Sequence, residues 1–443
     1  MKKKIVLIIL AIILVLGIAG TIFYFTNNSM KTPKDQFWGS MEQNIKTIAS
    51  DKADLDLKNL SYSQNGNFKM KMKLKDKEAY GSEEAKQIID GISKTEVQYD
   101  ILKDGQANKA KTTINLKYND LDFIKFDLLK INDKLGLKID EIYSKYVSIE
   151  NKNLKEVASK FDIDSTNIPD KIEVMDIYEF ANIDKEDLKH IEDVYKKVID
   201  ESIPEEAYIV NDNVTAKIFD KDIKAKEYKI ELTKEQTKNL LIKSVETIKN
   251  DETIINLIIN KSEMILKMVR MFENVPELTK NDIVEGLDEI ISEIENEEIE
   301  ALKITNYRSG NLSKIIISYG DGDIYNIDIS KDGNEIKINT YSNMNENNTN
   351  TFITINQKNK NESHADIVVK INNELADIEE SMSYDLKLND KVDIEDFTDE
   401  NSFNLNDKTR EEIEKTMQEL YFNLIFVIPK KAKILGIDLS EMY

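Results

Sequence analysis

Phe68, Met70, Met72 and Leu74 alternate with Lys69, Lys71, Lys73 and Lys75. A strict two-residue period gives a strand one apolar and one wet face, which suits antiparallel sheet rather than helix. The period returns at Val97, Tyr99 and Ile101, and again at Ile114, Leu116 and Tyr118. It predicts further strands at 121–129, 134–140, 145–149, 206–211, 213–219 and 225–232. After Glu300 it predicts strands at 301–307, 312–319, 323–329, 335–341, 350–356, 364–371 and 382–388. The wet faces of the first three strands read basic, acidic, basic, so neighbouring strands would pair their charges. Asp104-Gly105, Gly320-Asp321-Gly322 and Asp332-Gly333 mark tight turns. The Asn-rich stretch 343–350 reads as an exposed loop.

Helical spacing interrupts the strands. Phe37, Met41, Ile45 and Ile48, with Trp38 beside them, predict a short amphipathic helix from Lys34. Short helices follow near Leu154–Phe161 and Leu188–Val198. Thr233 and Gln236 form a capping box opening three helices at 234–249, 252–273 and 279–297. The middle one is apolar on most sides and reads as buried, laid in the concavity of a sheet. A last helix is expected at 408–427, ended by Pro429, with its Leu420–Ile428 segment packed against sheet or helix. The fold class is therefore α+β: a strongly curved antiparallel sheet, half-barrel in form, with helices packed on its concave face. Two meanders with adjacent helices leave a diverged duplication open. The pattern divides the chain into 1–29, 30–232 and 233–443.

The first 25 residues place the chain. Lys2, Lys3 and Lys4 precede an uncharged apolar run from Ile5 to Phe25. Such a run spans about 31 Å as a helix, matching a bilayer core of about 30 Å. The positive-inside bias puts the N-terminus in the cytoplasm and the bulk of the chain outside the bacterial cytoplasmic membrane. A cleaved signal peptide, cut near Gly17-Ile18-Ala19, is the rival reading. Both readings export the body of the protein.

Composition excludes several functions. There is no Cys, hence no disulfide, thiolate metal site or lipid-modified Cys. The net charge is −22, and residues 1–30 carry three Lys and no acid, so the exported part is more negative still. Arg occurs only at 270, 308 and 410. A field of this sign repels phosphate and excludes nucleic acid as a partner. It also disfavours adsorption to an anionic leaflet or wall polymer. The sequence contains no HExxH, GxSxG or Ser-x-x-Lys motif and no phosphate-cradling Gly-rich loop. Asp321, Asp323, Asp328 and Asp332 do not fit a calcium loop. The acidic stretches 293–300 and 393–400 read as solvated surface. We therefore expect a non-enzyme without cofactor or metal.

A curved sheet with one apolar face needs a cover. Helices that fill it make a core; helices that leave a gap make an apolar cavity. The residues expected to line such a cavity are Phe37, Trp38, Met41, Met70, Met72, Tyr99, Ile258, Met264 and Met268.

The exported leader, the Phe37-Trp38 helix and the meander with helices in its concave face resemble the LolA/LppX-like lipoprotein carriers. That resemblance implies a half-barrel holding a lipid or acyl chain. The stretch Lys145-Tyr146-Val147-Ser148-Ile149-Glu150-Asn151-Lys152-Asn153-Leu154 is similar to that of uncharacterised clostridial, hence Gram-positive, membrane-anchored ectodomains, and this likeness implies no activity. The chain departs from the carriers in having a peptide anchor in place of a lipidated Cys. Two functions follow as expectations: binding of a lipid or other apolar ligand, or assembly of the cell envelope through protein contacts.

Overall fold

A computed structural model describes residues 32–48, 59–75, 82–160, 168, 183–269, 275–344, 347–373, 376–389 and 391–434. The expected anchor, Lys2 to Phe25, lies outside them. Among the described residues no helix is long and apolar enough to cross a membrane.

The two-residue period builds one curved, unclosed sheet of 16 strands. The first meander is β1 (Tyr62–Leu74), β2 (Thr95–Asp104), β3 (Lys109–Tyr118), β4 (Leu121–Ile131), β5 (Lys134–Ile139) and β6 (Tyr143–Glu150). The second is β7 (Tyr208–Ile218), β8 (Lys221–Leu232), β9 (Leu302–Ser309), β10 (Leu312–Tyr319), β11 (Gly322–Asp332), β12 (Glu335–Met344), β13 (Asn347–Asn359), β14 (Glu362–Asn372) and β15 (Ala376–Leu388). The two join through β1 and β15, which pair antiparallel over the whole of β1, from Tyr62↔Leu388 to Leu74↔Ala376. A three-residue strand, β16 (Ser402–Asn404), pairs parallel with β6 at one edge; β7 forms the other. The sheet crosses the expected 232/233 boundary without a break, since β8 pairs with β9.

Eight α-helices accompany the sheet among the described residues: α1 (Pro33–Ile48), α2 (Glu83–Ser93), α3 (Leu154–Ser159), α4 (Lys185–Ser202), α5 (Lys234–Asn250), α6 (Glu252–Val269), α7 (Lys280–Asn296) and α8 (Arg410–Ile434). They do not line the sheet from end to end. The α1 helix packs on β7, β8, β9 and β11, and α5 touches β8 while carrying α4, α6 and α7. The main core lies there, where Phe37, Val198, Leu240, Ile230, Leu302 and Ile317 meet. A second cluster, around Tyr195, Leu241, Val245, Ile254, Leu287 and Ile294, holds the helices to one another. The expectation that 252–273 fills a sheet concavity is thus corrected: α6 packs on α4, α5 and α7.

Other departures have local causes. The expected strands 206–211 and 213–219 are one strand, β7, carrying a bulge between Asn211 and Val214. Asn213 absorbs the kink at φ 61°, a left-handed conformation Asn tolerates. The 343–350 stretch is not a loop in its described residues: Met344 pairs with Asn347 and Asn343 with Asn348, so both sides belong to the ladder. Pro429 does not end the last helix, which continues to Ile434. An interior Pro costs about 3 kcal/mol; here the turn beyond it is pinned by buried Ala432 and by the Lys431–Glu141 ion pair at 2.8 Å. The α2 helix lies between two expected strands and is not anticipated from the pattern, although Ser82 caps it by accepting from the Ala85 amide.

The basic–acidic–basic pairing holds only in part. Glu96 lies opposite both Lys69 and Lys117, with Lys69 3.7 Å away. Lys71 and Lys73 extend past the start of β2 and lie opposite Glu379 and Asp377 of β15. Their partners are more than 300 residues away in the chain, so local alternation could not reveal them.

Candidate functional site: an apolar groove between the last helix and the sheet edge

The chain beyond β15 wraps both faces of the β4–β6 end. On one face lies a clip, residues 391–401. Its Ile394, Val392 and Phe397 pack on Leu129 and Tyr146. Gly136 makes this possible: a Cβ there would stand 2.6 Å from Phe397 Cε1. Tyr146, fully buried, donates from its hydroxyl to Glu395 at 2.9 Å. Burial, then this carboxylate, pushes the Tyr146 phenol well above its usual range. Lys111 reaches Glu395 at 2.6 Å. Behind it, buried Asp127 accepts from the Thr113 hydroxyl at 2.6 Å and faces Lys138 at 3.4 Å. This is a fastening network, in which each charge has an opposite neighbour.

At the edge, the Tyr146 amide donates to the Asn401 carbonyl at 2.7 Å and the Leu405 amide to the Ser148 carbonyl at 2.8 Å. The chain then reaches α8, which lies over the other face. Alternation dictates what α8 meets: Leu137 and Val147 are cross-strand partners, and both point away from the clip face of Gly136 and Tyr146. Ile413 and Ala432 are buried near the ends of α8. Asn423 donates to the Ile142 carbonyl at 2.8 Å in the middle.

Between these fixings the helix and sheet leave an open groove of about 580 Å³. Leu137, Ile139, Ile142, Tyr143 and Val147 line it from the sheet; Met417, Leu420, Tyr421 and Leu424 line it from α8. Lys145 contributes its stem, while its amine donates to the Asp399 carbonyl at 3.0 Å. Burial pushes the Tyr143 phenol up, and nearby Glu419 adds to the shift. Outside the groove, Phe422, Ile425 and Phe426 of α8 are exposed, the two Phe rings 5.3 Å apart. The expectation that Leu420–Ile428 packs fully away is corrected: its residues divide between groove and solvent.

The residues expected to line one cavity are not brought together. Phe37 is fully buried in the main core, with Trp38 and Met41 packed against that cluster. Trp38 Nε1 donates to the Tyr208 hydroxyl at 3.2 Å. Ile258 packs on the helical cluster, and Met264 is half-buried on α6. Met70 and Met72 lie on β1 at the middle of the sheet, opposite Glu380 and Ile378. Met72 lines a second open pocket with Lys71, Ile371 and Glu379. Tyr99 covers Gly66, where an added Cβ would meet its ring at 2.4 Å. The Met268 side chain lies outside the described residues. The groove residues were missed because 134–140 and 145–149 read as ordinary half-buried strands. The available signal was Leu420–Ile428, apolar on more sides than one contact face requires.

Among the described residues no group of three or more His, Asp or Glu is placed to hold a metal. His190 bonds Asp251 at 2.7 Å and His364 lies between Asp385 and Asp366 at 3.1 and 3.2 Å; neither lines the groove.

The class this geometry defines is an α+β protein built on a long antiparallel meander, with an apolar groove at one end. The chain belongs to the DUF6583 family of unknown function, whose profile matches residues 1–389. The match ends at the close of β15, so clip, β16 and α8 follow it. No curated protein matches the chain. Solved structures with some likeness include intact Ap-TbpB with its N and C lobes, at 8% identity and TM-score 0.12, covering 74% of this chain and 76% of that one. Another is a tryptophan-to-alanine mutant of transferrin binding protein B from Haemophilus parasuis, at 7% identity and TM-score 0.12, covering 75% and 76%.

Proposed function

We propose that this chain is a non-enzymatic, membrane-tethered extracellular protein that binds an apolar ligand in the groove between α8 and β5–β6. One observation carries the reading: a groove of about 580 Å³, in the size range of small-molecule sites, lined almost wholly by apolar side chains. Each apolar Å² that a ligand covers is worth about 25 cal/mol. With Lys145 already engaged, the site selects by shape and apolarity rather than by charge. A second reading, an envelope module acting through protein contacts, draws on Phe422, Ile425 and Phe426, which lie exposed outside the groove.

Native mass spectrometry of the full chain, released gently from membranes and followed by lipid extraction, tests the first reading. A discrete added mass that disappears in Val147→Trp, which fills the groove, supports it. A clean apo mass from folded protein refutes ligand binding and leaves the protein-contact reading, to be pursued by crosslinking in cells.

A further inference from the structure

The outer face of α8 changes character along its length. Its exposed residues are charged or polar in the first half (Arg410, Glu411, Glu412, Glu414, Lys415, Gln418 and Glu419, four acids to two bases) and apolar or aromatic in the second (Tyr421, Phe422, Leu424, Ile425 and Phe426). Exposed Lys430 and Lys433 follow in the last turns. Apolar and aromatic side chains followed by lysines form the pattern of a helix segment that lies in a membrane interface. The lysines set apart an anionic bilayer from a neutral apolar partner. We propose that the C-terminal half of α8 docks on the surface of an anionic lipid bilayer, giving the protein a second membrane contact besides its tether. The proposal rests on the tethered reading above and names where the groove's ligand would come from.

The net charge of −22 argues against adsorption of the molecule as a whole, but the field that matters is local. Glu419 lies about 17 Å from Lys430 along the helix axis, and the Debye length is about 8 Å at physiological salt. Glu411, Glu412 and Glu414 lie about 12 Å or more from Phe422 along the axis and are screened from a surface that the docking face touches; Glu419 lies within a Debye length of that face, with exposed Lys415 one turn before it. A tether raises the effective lipid concentration, so a patch too weak to recruit a free protein suffices for an anchored one. The geometry fits two-point attachment. The α1 helix, which begins just after the expected anchor, packs on β7–β9, whereas α8 lies at β5–β6, at the opposite end of the sheet. The groove shares Tyr421 and Leu424 with this helix, so docking would set it beside the acyl region.

The chain has no Cys, so one introduced thiol can carry an environment-sensitive nitrobenzoxadiazole probe. The full chain is reconstituted into phosphatidylglycerol-containing or pure phosphatidylcholine vesicles with the probe at Phe426→Cys. The control is Ile88→Cys on α2, equally exposed at 64%. Docking predicts blue-shifted emission, quenched by nitroxide lipids, at 426 in phosphatidylglycerol vesicles and not at 88. Lys430→Gln with Lys433→Gln should lower the lipid-facing to water-facing ratio about 30-fold. Emission at 426 that aqueous iodide quenches equally in both vesicle types overturns the proposal. So does self-quenching between labelled chains without lipid dependence, which would assign the face to a second copy. Alkaline carbonate extraction of the same vesicles reports the tether separately, and ligand mass reports the groove, so each reading can fail alone.

Discussion

Gly136→Ala tests whether the clip is held by a close approach of ring to backbone. The new Cβ would stand 2.6 and 2.9 Å from Phe397 Cε1 and Cζ, and 3.2 Å from Tyr146 Cβ. Carbon atoms rest about 3.5–4.0 Å apart, so something must move about 1 Å. Tyr146 is fully buried and cannot retreat; Phe397 is half-exposed and must. Overpacking costs about 1–3 kcal/mol. Displacing Phe397 also forfeits its edge contact with Tyr146, at 5.7 Å between centroids, worth about 0.5–1.5 kcal/mol. Stiffening the unfolded chain returns about 0.4–1 kcal/mol, for a net loss of about 0.5–4 kcal/mol. A sheet this large need not unfold in two states, so the readout is local. Hydrogen exchange of the Tyr146 and Leu405 amides, both bonded across the clip edge, should lose protection about 2- to 700-fold. In a Phe397→Ala background the same change should cost under about 0.5 kcal/mol, the margin within which uncoupled changes add. An equal loss of protection in both backgrounds would refute the reasoning, because the contact with Phe397 would not be its cause.

Asn306 is fully buried, donates to Ser40 Oγ at 2.8 Å and accepts from Asn44 Nδ2 at 3.1 Å; Asn306→Leu removes the partner of the Asn44 Nδ2 donor while Ser40 Oγ keeps its bond to the Phe37 carbonyl, and a loss of about 1–3 kcal/mol should appear as a lower urea midpoint for the α1–β9 region. For Glu395, burial raises the carboxyl pKa, but the bonds from Lys111 and Tyr146 outweigh it and leave the group below its usual range. A depressed carboxylate contributes stability that is complete above the unfolded value, about 4.3, and is lost as pH falls through the folded value. Limited proteolysis at 391–401 should therefore accelerate below about pH 4, and Glu395→Gln should weaken that dependence.

Strand existence was legible because each strand states its own two-residue period. The β9, β10 and β14 segments fall within two residues of their expected bounds. Strand neighbours were less legible. Nothing in Lys71-Met72-Lys73 announces that its partner is Asp377-Ile378-Glu379, since pairing across the whole chain is decided by packing and not by local propensity. The same limit applies to the site. Leu137 and Val147 alternate like any half-buried pair, and the helix that turns them into a groove wall arrives only after a clip has crossed the opposite face. Phe37, Trp38 and Met41 form a helical apolar stripe whether it lines a cavity or fills a core. Here Tyr208, Ile230 and Ile317 fill the space.

The edges of the sheet bear on how a partner can bind. Because β1 lies beside β15, the sheet ends at β7 and at β6 with β16. An open edge invites strand addition unless it is bent or covered. The β7 edge carries the Asn211–Val214 bulge, which breaks its ladder. The β6 edge is taken by the chain itself: the Tyr146 amide bonds the Asn401 carbonyl, and the Glu150 amide bonds the Asn406 side chain at 2.7 Å. A partner strand would meet a kink at one end and an occupied ladder at the other. Backbone pairing is thereby disfavoured as a recognition mode, and binding is left to side-chain surfaces. Among the described exposed large apolar residues, Tyr421, Phe422, Leu424, Ile425 and Phe426 come from a single helix. The segment that closes the β6 edge therefore delivers, within one further helix, the surface on which the binding readings rest.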